Sequence, residues 1–218
     1  MSLRLLKWAA IISFFFAIGM LLVGGWFAKD KVPPYPGQVL DVSGAVLFGK
    51  KDIIEGQNVY QRYGLMDHGS VWGHGSQRGM EFSAVTLRLM GESIRERIAQ
   101  SRYGLPYASL GPTEKKIVEV QVAEQIKTNR YDKGRDALSL TPDQSASLEM
   151  IYEFWEKTFR DGEHRYGFLP GTVKSETERR QIARFFFWTA WAAGTLRPGD
   201  EYTYTSNWPP DRLAGNTP

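Results

Sequence analysis

The run from Trp8 to Ala28 holds 21 residues without a charge, and it constrains this chain more than any other stretch. As a helix it is about 31 Å long at 1.5 Å per residue, against a bilayer hydrocarbon core of about 30 Å. Arg4 and Lys7 flank one end; Lys29, Asp30 and Lys31 flank the other. Trp8 and Trp26 stand where indole rings anchor to an interface. The apolar run exceeds that of a signal peptide, and Trp26-Phe27-Ala28 is a poor small-x-small cleavage site. The segment therefore predicts an uncleaved transmembrane helix over residues 8–28, with residues 1–7 on the cytoplasmic side. A second apolar run, Phe185 to Leu196, has only twelve residues and predicts a buried helix instead.

The part beyond the anchor is long enough for one domain that folds without staples. The chain has no cysteine, which excludes thiol nucleophiles, thiolate metal sites and the Cys-x-x-Cys-His attachment of a c-type haem. Its 27 basic and 24 acidic residues leave a net charge of +3. The signs alternate, as in Arg95-Glu96-Arg97 and Glu176 to Arg180, so they read as solvated helix faces and argue against nucleic-acid binding.

The pattern predicts a mainly α fold. Pro33, Pro34 and Pro36 form a stiff exit from the membrane. Residues 29–51 read as an extended linker with a short β-hairpin, Val39 to Phe48, around Ser43-Gly44. The domain proper then spans 52–201. Asp52 is placed to cap a helix over Ile53 to Tyr63. Gly64 to Gly79 carries five glycines in sixteen residues and predicts a long shaped loop, not a regular element. A helix follows over about Glu81 to Gln100. Another starts at Thr113, with Ile117, Val120, Val122 and Ile126 as its apolar stripe. Thr141-Pro142-Asp143-Gln144 is a capping box with proline at the first helical position, and Leu148, Ile151, Trp155 and Phe159 continue it at helical spacing. Ser175-Glu176-Thr177-Glu178 opens a last helix in the same way, ending near Gly194. Residues 202–218 are an aromatic tail.

Few side chains offer chemistry. His68 and His74 share the glycine-rich stretch, and a metal there needs a third ligand such as Asp67 or Glu81; their spacing matches no common site. Ser70, His74 and Asp67 are the parts of a hydrolase triad, without the Gly-x-Ser-x-Gly elbow that would aim the serine. Gly73-His74-Gly75 lacks the Gly-Lys-Ser/Thr of a phosphate loop. Met66, Met80 and Met90 read as core fillers, and His164 as a surface residue. Phe185-Phe186-Phe187-Trp188-Thr189-Ala190-Trp191 puts rings nearly all round a helix, which means burial in the domain or against other membrane helices.

Six blocks carry a resemblance, in order along the chain: Pro33-Pro34-Tyr35-Pro36 with Gln38-Val39; Gly56-Gln57-Asn58-Val59-Tyr60-Gln61; Gly69-Ser70-Val71-Trp72-Gly73-His74-Gly75; Phe185 to Ala192; Thr195-x-Arg197-Pro198-Gly199; and Tyr202-Thr203-Tyr204-Thr205-x-Asn207-Trp208-Pro209. Together they resemble the amino-terminal region of the quinol-dependent nitric oxide reductases, relatives of the haem–copper oxidases that act in denitrification. The resemblance implies one membrane helix and then an extracytoplasmic domain of cytochrome-c-like fold that binds no haem. Trp155, Phe159 and Trp72 would occupy the haem space. It implies a partner, a catalytic portion of about twelve membrane helices, which holds haem b, a haem b3–non-haem iron pair and the quinol site. The family's second membrane helix would begin about where this chain stops, so the chain reads as a small subunit or as a piece of the enzyme, without catalytic ligands of its own. Gly69 to Gly79 and Tyr202 to Trp208 would face that partner. Gly75 and Gln77 match positions that help hold a calcium shared with it; glutamine stands where relatives have tyrosine, which also leaves open a nitric oxide dismutase-like enzyme. The other readings are an independent anchored binding domain and a free-standing hydrolase.

Overall fold

The computed structural model describes residues 2–217; Met1 and Pro218, the outermost residues of the flank and tail, lie outside the described residues. The chain forms two compact units, one through Pro34 and one from Tyr35 onward. In the first, helix α1 runs Leu3–Ala28 and starts ahead of the uncharged run, where Ser2 Oγ accepts the Leu5 N–H at 3.4 Å. It is the one helix among the described residues long and apolar enough to cross a membrane. None of its described residues is buried. A helix apolar on every side cannot stay bare in water, so it needs lipid or protein around it.

The second unit holds five helices: α2 Lys50–Arg62, α3 Phe82–Tyr103, α4 Pro112–Lys127, α5 Pro142–Asp161 and α6 Glu176–Gly194. Its boundary differs from the expected one. The hairpin is not linker: β1 (Gln38–Leu40) pairs antiparallel with β2 (Val46–Phe48) and parallel with a later strand at Ala137–Ser139. That strand pairs in turn with Tyr131–Asp132, closing a four-stranded sheet. Val39 and Phe48 are buried by it, which draws the domain's edge back to Tyr35. The tail is not loose either. Leu213 and Ala214 are buried, and Asn216 Nδ2 donates to the Ala193 and Pro209 carbonyls at 2.9 Å each.

Helices α3, α5 and α6 enclose the core. Phe82 and Phe186 stack with centroids 4.7 Å apart, Trp155 lies 4.8 Å from Phe186, and Phe159 stacks on Trp155 at 5.6 Å. All four are fully buried. The indole N–H of Trp155 donates to Thr86 Oγ1 at 3.1 Å, so the ring is buried without an orphan donor. The aromatic run of α6 is domain core, as its all-round apolarity allows.

Helix α2 crosses α6 at Gly56, where an added Cβ would fall 2.1 Å from the Gln181 carbonyl oxygen. Only glycine lets the two backbones approach so closely.

Three local expectations change. Asp52 sits at the third position of α2, not before it, and accepts the Gly49 N–H at 3.0 Å. On α4 the inward stripe is Val118, Val122 and Ile126; Ile117 and Val120 face out. The capping box of α5 is complete, with Thr141 and Gln144 exchanging two bonds of 3.1 Å. That of α6 is half formed. Ser175 Oγ accepts the Glu178 N–H at 3.4 Å, but the Glu178 carboxylate turns to Arg62 (2.8 Å) and the Tyr63 hydroxyl (2.7 Å) at the end of α2. A charged partner on another helix outcompetes a backbone N–H on its own.

Candidate functional site

The glycine-rich stretch is not the irregular loop its composition predicts. It is a three-stranded sheet in the order β4-β3-β5: β3 Gly69–Val71, β4 His74–Gly75 and β5 Met80–Glu81. Glycine makes it possible by removing Cβ atoms where backbones meet. At Gly75, φ is +135° and an added Cβ would lie 2.3 Å from the Gly69 carbonyl oxygen, so no other residue fits without strain.

The turn between β3 and β4 is Trp72-Gly73, with φ of 54° and 78°. Two positive φ values in a two-residue hairpin turn match the strand twist, but tryptophan is a costly residue to place there. Three contacts hold it. The Trp72 N–H donates to Ser83 Oγ at 3.1 Å, its indole N–H donates to the Thr189 carbonyl at 2.9 Å, and its ring lies 5.3 Å from that of Trp188. Ser83 in turn donates to Glu81, 2.6 Å away, and Glu81 also accepts the Ala84 N–H as it caps α3. Burial pushes the Glu81 carboxyl up; its hydrogen bonds pull the other way. The loop is thus fastened to the first turn of α3 and to α6.

The indole of Trp208 lies against Gly73, whose added Cβ would come within 3.4 Å of Nε1. The two segments expected to share a face, Gly69 to Gly79 and Tyr202 to Trp208, meet at this point. Trp208, Met66, Gly75 and Gln77 are all exposed.

The triad candidates do not assemble. Ser70 pairs with Gly75 and Val71 with His74. Side chains alternate along a strand, so the Ser70 hydroxyl and the His74 imidazole lie on opposite faces of the ribbon. No hydrogen bond joins either to Asp67 among the described residues. Nor do His68 and His74 converge on an ion: among the described residues no group of three or more His, Asp or Glu is placed to hold a metal. His68 packs against Phe168, centroids 5.5 Å apart, beside Arg165, whereas His74 borders a hollow with Tyr35 and Trp188. Met80 and Met90 are core residues, Met66 is exposed, and His164 is on the surface.

Trp155 and Phe159 lie buried at the centre of the domain. Trp72 does not; it is half-buried at the loop. The stacked pair Tyr35–Trp188, with centroids 4.2 Å apart, has no local signal in the sequence. Nothing in the pattern joins a residue of the proline-rich stretch after α1 to one on the last helix.

The chain thus joins an anchor-length helix to a mainly helical domain that carries a small glycine-built sheet. The family model of the NorB cytochrome c-like domain, a domain of nitric oxide reductase, matches residues 36–210, and the chain belongs to that family. None of the curated proteins compared with it matches.

Proposed function

We propose that this chain is the non-catalytic amino-terminal module of a quinol-dependent nitric oxide reductase, seated on the extracytoplasmic face of the haem-bearing membrane portion. The observation that carries the reading is the junction of the glycine sheet with Trp208. It is an exposed surface built of glycine backbone and an indole ring, on a domain of the NorB cytochrome c-like family. The lack of cysteine supports quinol as the electron source, since no c-type haem can be attached to relay electrons from a soluble donor. In this reading the complete enzyme converts nitric oxide to nitrous oxide with haem b, haem b3 and non-haem iron, all held by the partner.

The residues here do not fit a haem. The interior is filled by Phe82, Trp155, Phe159 and Phe186, and all three histidines, His68, His74 and His164, are on the surface. We assign to Trp155 and Phe159 the space a haem would need. Calcium is a better match. The bond from the Ser76 N–H to the Gly69 carbonyl, 2.9 Å, brackets the Ser70–Gly75 pair. That makes it the non-hydrogen-bonded type, so the Gly75 carbonyl turns away from β3 along a free edge. Gln77 is exposed nearby. Two neutral oxygens are right in kind for calcium but few against the six to eight it takes. The partner must supply the others, and the isolated chain should hold no calcium.

Purification of the chain from its native membrane in mild detergent tests this reading. It predicts a complex with a multi-helix partner and haem b absorbance, and loss of that partner on Gly75→Ala. A chain recovered alone, without haem, would return it to an independent anchored binding domain.

A further inference from the structure

At the end of the glycine sheet opposite the Trp72-Gly73 turn lies a hollow of about 250 Å³. Three segments close round His68 to make it. An added Cβ at Gly79 would fall 1.6 Å from the His68 carbonyl oxygen, so the backbone next to Arg78 is pressed on that of His68. An added Cβ at Gly167 would lie 3.6 Å from His68 Nδ1, which brings the turn bearing Arg165 and Tyr166 to the same imidazole. Ser76 and Asp67 complete the lining.

The arginines here differ from most in the domain. Arg62, Arg97 and Arg179 each have a carboxylate oxygen at 3.0 Å or less. Arg78 and Arg165 are exposed and form no ion pair among the described residues. Asp67 lines the hollow, and Glu163 borders it by accepting the Arg165 backbone N–H at 3.1 Å, but neither carboxylate pairs with a guanidinium. The Arg165 guanidinium instead leans over the Tyr166 ring, 4.6 Å from its centroid, and donates to the Tyr166 hydroxyl at 2.5 Å. Ser76 Oγ accepts the Arg78 N–H at 3.3 Å. Each hydroxyl accepts one bond and keeps its own hydrogen to give, and the His68 imidazole carries an N–H in either protonation state. Two guanidinium forks, two hydroxyls and an imidazole thus border one small space.

We propose that this hollow binds a phosphate group, held by Arg78 and Arg165 together. A carboxylate has two oxygens and fills one guanidinium fork. A phosphate has oxygens and charge enough for both forks and a hydroxyl besides. Asp67 and Glu163 offset part of the positive charge, so selection rests on bonds to both forks and not on diffuse attraction of any anion. A soluble phosphate ester and the headgroup of an anionic lipid present the same oxygens. The site lies away from the Trp208 junction, and the proposal does not depend on the docking role above.

Inorganic phosphate is the first probe, titrated into the full chain in uncharged detergent micelles at low salt, with the arginine side-chain N–H signals followed by NMR. The Arg78 and Arg165 signals should move and saturate. Chloride at equal ionic strength should not move them. Arg78→Gln and Arg165→Gln should each weaken binding about tenfold, with the melting temperature unchanged because both side chains are exposed and unpaired. Arg102→Gln, which removes the same charge at the end of α3, should leave binding as it was. Glycerol phosphate and phosphatidic acid, the latter in mixed micelles, then separate the sources: equal affinity assigns a soluble ester, and tighter binding of the lipid assigns a headgroup. Signals that move no more with phosphate than with chloride, or an Arg102→Gln loss equal to that of the other two variants, would overturn the proposal.

Discussion

Trp155 and Trp72 each give their indole N–H to a threonine, and the settings could hardly differ more. Trp155 is sealed among Phe82, Phe159 and Phe186 and donates to a side-chain hydroxyl. Trp72 sits half-exposed on a left-handed backbone and donates to the Thr189 main-chain carbonyl. The first region is held by dispersion and apolar burial, which tolerate some change of shape but not loss of volume. The second is held by glycine clearances and a few hydrogen bonds, which tolerate almost no added atom. Stability and surface shape therefore rest on different residues of one domain, and they can be damaged separately.

The sharpest way to test that separation is Trp155→Ala. It should cost about 3–5 kcal/mol, read as a lowered guanidinium midpoint; a loss under about 1 kcal/mol would mean that the rings around Trp155 are not the centre of the fold. Gly75→Ala should cost less, about 1–3 kcal/mol, from the forced positive φ and the clash with Gly69. Its increase in hydrogen exchange should stay within residues 69–81, and spread through α5 would erase the distinction between the two regions. Next comes Glu178→Gln, which leaves the Tyr63 bond possible and removes the ionic one with Arg62; a half-exposed pair of this kind contributes roughly 1 kcal/mol or less.

The smallest effect concerns Lys127, whose pKa burial lowers to about 8. Its ammonium has an amide acceptor, Asn216 Oδ1, and no carboxylate partner among the described residues. Between about pH 8 and its ordinary 10.5 the unfolded chain holds more protons than the folded one, so the domain gains stability as pH rises through that window. Below pH 8 both states are protonated and the cost is fully present. Melting temperatures measured from pH 8 to 10 should rise for the native chain relative to Lys127→Met; parallel profiles would refute the assignment. Tyrosines with raised pKa, Tyr60 among them, oppose the trend only above pH 10.

How far these features can be read from the sequence depends on their range. The starts of α5 and α6 are legible because Thr141 and Ser175 act on N–H groups three residues away. The aromatic core is legible because Leu148, Ile151, Trp155 and Phe159 repeat at helical spacing. The four-stranded sheet is not, because Gln38 to Leu40 pairs with Ala137 to Ser139 and neither strand shows its partner locally. The half-used cap at Glu178 is hidden for the same reason: Arg62 and Tyr63 lie far back in the chain. At the candidate site, the glycine count reveals something unusual but suggests slack. The structure uses those glycines to bring strands closer than any side chain would permit, which composition alone does not convey.

The crossing at Gly56 has a consequence for how the domain comes into being. One of its first helices is completed only by its last, with the backbone of Gln181 pressed on that of Gly56. A growing polypeptide that has not yet released α6 lacks the main cover of α2, so this domain ripens late, after nearly its whole length is free. Closing so long a loop adds little to the equilibrium cost but slows assembly. In the meantime the greasy side of α2 stands open to any chaperone that waits there.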